Sequence, residues 1–284
     1  MVLLGLVQAV VAMKPCILIR SCLDTDHETE IASQYLPVFQ YRTEIPHDSL
    51  VVGRYSVLPY YKELESELLL GGSRLVNTHR EHSFIANVLE WGADDPDSCL
   101  YGLTPKSWGS WYQLPDGAYV VKGATNSRKT QWNTRMFAPN KASISGIVNR
   151  LLDDVLIADQ GIVVREFVPL KVMEVGLNDQ PITNEWRTFW LRTAQGPVML
   201  AKGYYWGSYP ELASLAQWDH KAEALLNEAA QRVAQEATFF VLDVAETATG
   251  DWIVIEINDG QMSGLSLCDP HELYSNLAKQ VQLM

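Results

Sequence analysis

Apolar positions along this chain alternate between two spacings, and the alternation predicts a series of short strands and helices. Near the N-terminus, "CILIRSC" and "LVVGRYSVLPYY" show the runs and every-second spacing of strands. "DHETEIASQYL" and "REHSFIANVLEW" place apolar residues three and four apart, as helices do. This mixture predicts a small α/β domain over residues 1–100. "WGADDPDS" (91–98) is acidic and turn-rich, and reads as a boundary. The first twelve residues, "MVLLGLVQAVVA", are apolar but too short to span a bilayer, and they lack the basic start of a signal peptide. Residues 1–12 read either as an extension upstream of a natural start at Met13 or as an extra strand.

A second block covers residues 101–170. "AYVVK" is a strand that enters the polar loop "GATNSRK". "SISGIVNRLLDDVLI" is a helix capped near Ser143 or Ser145, and "GIVVREFVPL" is a strand stopped by Pro169, which cannot donate to a ladder. The third block, 171–284, opens with two strands joined at "AQGP", followed by a long helix over 211–237. "FFVLDVAET" and "DWIVIEIND" then form a hairpin around "ATG". "DPHELYSNLAKQV" is a helix with Asp269 as N-cap and Pro270 at its first position.

With 284 residues, 47% of them hydrophobic, a large core is within reach and disorder is excluded. The net charge of −12 excludes bulk attraction to nucleic acid or anionic membrane, while leaving room for a local basic pocket. Cys16, Cys22, Cys99 and Cys268 are widely spaced without a CxxC, which predicts reduced structural thiols in a cytoplasmic protein. Whether the chain forms a homodimer is left open.

The polar residues of the final hairpin change the picture most. A turn at Thr249–Gly250 sets Glu246 opposite Ile253 and Asp243 opposite Glu256, with Asn258 on the same face. Directly opposed like charges destabilise a sheet, and burial makes this worse. A bound Mg²⁺ removes the conflict, because it favours carboxylate and neutral oxygen ligands together with substrate phosphates. The plainer alternative is a solvated acidic edge, and a one-residue slip would break the pairing.

Phosphates need cations. Lys122 ends its strand, and Ser127, Arg128 and Lys129 follow within a short loop that suits phosphate oxygens, although the pattern G-x-x-x-x-G-K-[ST] is absent. An exposed basic hairpin tip would look similar. Arg187 and Glu185 share a strand face, suiting either bidentate anion binding or a surface salt bridge. Lys202 in "VMLAKGYYW" is equally ambiguous. "VVREFVPL" has the form of an edge that reads adenine or of ordinary core. His79 and His82 read as helix-surface histidines, Arg54 and Arg80 as solvated charge or a carboxylate site, and the nine tryptophans as core and cleft wall.

In this order, these pieces resemble the ATP-grasp superfamily over roughly residues 105–267, most closely in "VLDVAETATGDWIVIEINDG". The single glycine of "GATNSRK" departs from the richer loop of that superfamily and points to a divergent branch of the bacterial and phage type. The resemblance implies an α+β fold in which two subdomains, 101–170 and 171–284, clasp ATP behind the N-terminal α/β domain. It implies that Lys122 contacts the α- and β-phosphates, and that Ser127 and Lys129 close over the β- and γ-phosphates. Glu166, Phe167 and Val168 would form the adenine linker, with Glu185 also on the nucleotide. Arg187 would contact the transferred phosphoryl group or the acyl-phosphate. Asp243, Glu256 and Asn258 would hold two Mg²⁺ ions, and Ser263, Gly264 and Lys202 would border the acceptor. The implied reaction is ATP-dependent joining of a carboxylate to an amine, on small-molecule or peptide substrates, through an acyl-phosphate. A kinase-like phosphotransferase and a nucleotide-binding module without turnover are the alternatives. A carbohydrate-binding protein built on its tryptophans would leave the carboxylate hairpin unexplained.

Overall fold

The computed structural model describes residues 13–19, 26–54 and 60–284. The question raised by residues 1–12 lies outside them. The first sheet is parallel: β1 (Lys14–Leu18), β2 (Val38–Phe39), β3 (Ser49–Gly53) and β4 (Arg74–Leu75) lie in the order β2-β1-β3-β4. Every residue of β3 is buried, as expected of a parallel strand covered on both faces. Alternate residues serve the two faces. Cys16, Leu18 and Val51 pack with Tyr61, Leu64 and Leu68 of α2 (Tyr61–Leu70). Ile17, Leu50 and Val52 share a core with Ile31 and Ala32 of α1 (Asp26–Ala32) and with the last sheet of the chain.

The single helix read in "REHSFIANVLEW" is two. Thr78 opens α3 (His79–Ala86) with a capping box to Glu81. Asn87 then leaves helical geometry (φ −108°, ψ 105°), and its side chain caps α4 (Val88–Gly92). Trp91, in the segment read as a boundary, is buried in the core.

The second sheet is antiparallel, in the order β5-β8-β6-β7: β5 (Ser107–Trp108), β6 (Tyr119–Gly123), β7 (Phe137–Ala138) and β8 (Ile162–Glu166). The short α5 (Trp132–Arg135) precedes β7, and α6 (Lys141–Leu152) covers the sheet through Ile144, Ile147, Val148 and Leu151. The cap of α6 is Asn140, not Ser143 or Ser145: its side chain accepts from the Ser143 amide at 3.1 Å. β8 ends at Glu166, three residues before Pro169, because the next amide, on Phe167, turns to the Ala118 carbonyl. A two-stranded ribbon follows, β9 (Val172–Val175) with β10 (Pro181–Thr183).

The third sheet is antiparallel, in the order β12-β11-β13-β14: β11 (Glu185–Thr193), β12 (Gly196–Tyr204), β13 (Phe239–Glu246) and β14 (Trp252–Asp259). Phe239 and Val241 of β13 meet the first sheet and α8 (Pro270–Val281), while Phe240, Leu242 and Val244 meet α7 (His220–Val233) on the other face. The helix expected over 211–237 is therefore shorter. A 3₁₀ turn spans Pro210–Ser214, and Asp219 then caps α7 by accepting from the Lys221 and Ala222 amides.

The register of the last hairpin differs at the turn and agrees at the carboxylates. Glu246 faces Trp252, not Ile253, and Val244 faces Val254. The register then shifts so that Asp243 faces Glu256, leaving Ile255 as the extra residue of a bulge.

Two glycines test this packing in opposite senses. A Cβ on Gly203 would stand 2.3 Å from the backbone of Leu267 and Cys268, whereas one on Gly146, inside α6, would meet only the Arg150 guanidinium at 3.7 Å. Gly203→Ala is expected to lower stability by roughly 1–3 kcal/mol, and Gly146→Ala to raise it by roughly 0.5–1 kcal/mol. Denaturant unfolding measures both; a Gly203→Ala protein as stable as wild type would contradict the close approach.

Candidate functional site

The bulge at Ile255 sets two acidic side chains opposite each other, and each is met by a different cation. Arg187, which faces Asp243 from β11, donates from Nε and Nη2 to the two Asp243 carboxylate oxygens at 2.9 and 2.8 Å. Its Nη1 donates to the Gly264 carbonyl at 2.8 Å. Asn258 Nδ2 also donates to Asp243 Oδ2, at 3.2 Å. Glu256 instead receives Lys122 Nζ from the end of β6, across from the second sheet. Asp243, Glu256 and Asn258 thus stand together on one face, each carboxylate paired with a cation. Asp243 is held by a guanidinium fork, whose planar geometry matches a carboxylate.

Arg165 explains why the bulge is stable. It is buried on β8 and donates to the Ile255 carbonyl at 2.6 Å, to Thr104 Oγ1 at 2.7 Å and to Ser107 Oγ at 3.1 Å. A bulge carbonyl that leaves the ladder needs such a donor. Lys129 Nζ donates to the Tyr205 hydroxyl at 2.7 Å, lies 4.0 Å from that ring's centre, and is 3.6 Å from Glu185 Oε1. Arg187 approaches the same ring, at 4.9 Å. Lys122, Lys129, Arg165 and Arg187 therefore meet Glu185, Asp243 and Glu256, with Glu166 also on the cavity wall, so cations and carboxylates are matched in a chain that is acidic as a whole.

Acidities follow this arrangement. Burial raises the Glu256 pKa, but Lys122, Lys129 and Arg165 outweigh it and bring the carboxyl down to about 2. Burial pulls Lys122 below the usual lysine range, against the pull of Glu256. Burial raises Glu185, and repulsion from Asp243 and Glu256 adds to this against the attraction of Lys129. Glu185 Oε1 is buried without a hydrogen bond.

A cavity of about 250 Å³ opens beside these groups. Its lining includes Lys122, Ser127, Lys129, Glu185 and Glu256, together with Glu166, Phe167 and Val168. Arg187, Asp243 and Asn258 join it only through the ion-pair network. Ser263 donates to the Asp259 carbonyl at 2.7 Å, and Gly264 offers its carbonyl to Arg187. Lys202 is not brought to the site. It pairs with Thr188, one position out of phase with Arg187, and lies 4.3 Å above the Trp218 ring on the other face of the sheet.

Several lining residues were not anticipated: Arg165, Trp132, Gln180, Thr183 and Trp206. Only Arg165 left a signal, as a charge inside the apolar run "IVVREF". His82 is not a helix-surface residue. It is buried, stacks on Tyr61, and lies 3.0 Å from Asp259, whose other oxygen accepts from Asn77 at 2.8 Å. Arg54 is neither solvated nor free, being held by Glu28 at 2.7 Å, by Tyr274 at 3.1 Å and by the Gly260 carbonyl. Arg80 is solvated, with a 3.6 Å contact to Glu236.

The donor set suits a hard cation in part. Glu256 and Asn258 lie two residues apart on one strand and offer a carboxylate and an amide oxygen. Among the described residues no three His, Cys, Asp or Glu side chains converge as a ready ligand set. The remaining ligands would have to come from phosphate and water, which is the usual habit of Mg²⁺.

A parallel sheet, a helix-covered antiparallel sheet and a long antiparallel sheet around a cation-lined cleft define an ATP-grasp protein. Residues 109–277 match the model of an ATP-grasp domain, the third family of one clade of that superfamily, and the chain belongs to that family. An L-amino acid ligase from Bacillus licheniformis shares 13% identity over 96% of this chain and 75% of its own, with a TM-score of 0.57. N5-carboxyaminoimidazole synthase from Aspergillus clavatus, solved with ADP, shares 10% over 96% and 78%, with a TM-score of 0.54. A RimK domain ATP-grasp protein from Sphaerobacter thermophilus shares 13% over 94% and 99%, with a TM-score of 0.53. At these identities the likeness concerns the fold. No curated protein matches the chain. No helix among the described residues is long and apolar enough to cross a membrane.

The depressed Glu256 acidity gives a signed pH dependence. The ion pair contributes its full stability above the ordinary carboxylate pKa and loses it as pH falls towards about 2. Glu256→Gln should therefore be less stable than wild type at neutral pH, and the difference should shrink on acidification. Urea midpoints across pH measure this; a difference independent of pH would contradict the pairing.

Proposed function

We propose that this protein is an ATP-dependent ligase that phosphorylates a carboxylate and passes the acyl group to an amine. The observation that carries this reading is the convergence of Lys122, Lys129 and Arg165 on Glu256, at a cavity with an apolar wall. Clustered cations beside an apolar wall suit a nucleotide, which offers both charged and apolar parts. Lys122, which now neutralises Glu256, would hold the α- and β-phosphates. Ser127 and Lys129 would close over the β- and γ-phosphates. Phe167 and Val168 would flank the base, with Glu166 at the linker edge. Glu185, an acceptor without a donor at Oε1, would take a sugar hydroxyl.

Glu256 and Asn258 would hold Mg²⁺, which neutralises phosphate charge when bound. Arg187 would meet the charge that develops on the transferred group, with Asp243 fixing its fork and Gly264 its third contact. Transfer to the carboxylate makes an acyl-phosphate, and attack by the amine then releases phosphate. Closure over the cleft would exclude water, which would otherwise hydrolyse this intermediate. Carboxylate and amine would come from small molecules or peptides.

A screen of amino acids and short peptides for ADP and phosphate release, with mass spectrometry of the product, tests the reading. Phosphate release requiring both a carboxylate and an amine is expected. A stable phosphorylated product without free phosphate, or no ATP turnover with any pair, would contradict it. Glu256→Gln should lower turnover by on the order of 10²-fold or more while circular dichroism stays unchanged; wild-type rates in that variant would remove Glu256 from the metal and phosphate site.

A further inference from the structure

Gln180, on the tip of the β9–β10 ribbon, is only 8% exposed and lines the cavity. Its backbone is satisfied within the ribbon: its amide donates to the Leu177 carbonyl and its carbonyl accepts from the Gly176 amide. Its side-chain amide has no partner among the described residues, yet neither of its polar atoms is sealed from the cavity. A nearly buried carboxamide with two donors and an acceptor left unmatched is poised for a ligand.

The backbone before it supports the same conclusion. Asn178 and Asp179 both adopt left-handed geometry, with φ of 55° at each. Consecutive non-glycine residues in that region persist only where their surroundings hold them. Here the holding contacts cross to the phosphate loop. Asn178 Nδ2 donates to the Thr130 carbonyl at 2.7 Å, and Asn133 Nδ2 donates to Asp179 at 2.7 Å. The ribbon tip is thus latched to the segment that carries Lys129, and Gln180, the next residue, lines the cavity.

We propose that Gln180 is a nucleotide-contacting residue that hydrogen-bonds the neutral nucleoside half of the bound nucleotide, a base edge or sugar hydroxyls. A neutral amide complements neutral donors and acceptors, while the phosphates have the cations of Lys122 and Lys129. This rests on the ATP reading above and adds a specificity element outside the Glu166–Val168 linker.

Calorimetric titration of the full chain with ADP, IDP and 2′-deoxy-ADP, each with Mg²⁺, separates the possibilities. Gln180→Ala should weaken ADP binding roughly threefold to tenfold, the size of a lost hydrogen bond. The penalty should vanish for IDP if the base is read, or for 2′-deoxy-ADP if the sugar is read. Unchanged ADP affinity in Gln180→Ala, or an equal penalty for all three probes, would overturn the contact while leaving the ATP reading intact. A wild-type protein that binds none of them would bring down both.

Discussion

Two carboxylates facing each other on neighbouring buried strands are the constraint around which this molecule is arranged. Asp243 and Glu256 stand opposite each other in register, and Asp243 is fully buried. Neither charge is tolerable there without a partner, and removal of one partner from such a pair typically costs about 3–5 kcal/mol. The two solutions differ. Asp243 is neutralised inside its own sheet by Arg187, whereas Glu256 is neutralised by Lys122 from another sheet. The second ion pair therefore ties β6 to the third sheet. Arg165 completes the arrangement by holding the carbonyl that the bulge releases.

This charge pattern links fold to chemistry. In a chain with a net charge of −12, the cavity gathers Lys122, Lys129 and Arg165 against Glu166, Glu185 and Glu256. A polyanion with an accompanying metal would relieve both sides at once, since phosphates take up the cations and the metal takes up the carboxylate Lys122 leaves. Tyr205 stands between Lys129 and Arg187 and keeps these two cations on one aromatic ring. The N-terminal sheet contributes stiffness at the rear. Arg54 and the His82–Asp259–Asn77 network grip the chain next to Asn258, so the end of β14 is held from behind.

The third sheet and its carboxylate face were legible because strand periodicity carries side-chain direction, and the Asp243–Glu256 pairing survived a wrong turn register because the bulge compensated for it. Lys202 was misplaced for the same reason of parity. A position one step out of phase points to the opposite face, and only the observed pairing with Thr188 reveals it. The cap at Asn140 was missed because nearby serines carry the same capping chemistry. His82 and Gln180 could not be read at all. Their importance comes from burial and from partners, or a lack of partners, far away in the chain, which local patterning does not encode.

The most direct test of the account is the Mg²⁺ dependence of nucleotide affinity in the intact protein. One ADP should bind per chain, and Mg²⁺ should strengthen binding in wild type but not in Glu256→Gln, because the proposed function gives that carboxylate to the metal. Nucleotide binding that is indifferent to Mg²⁺ in both proteins would contradict the assignment of the carboxylate hairpin.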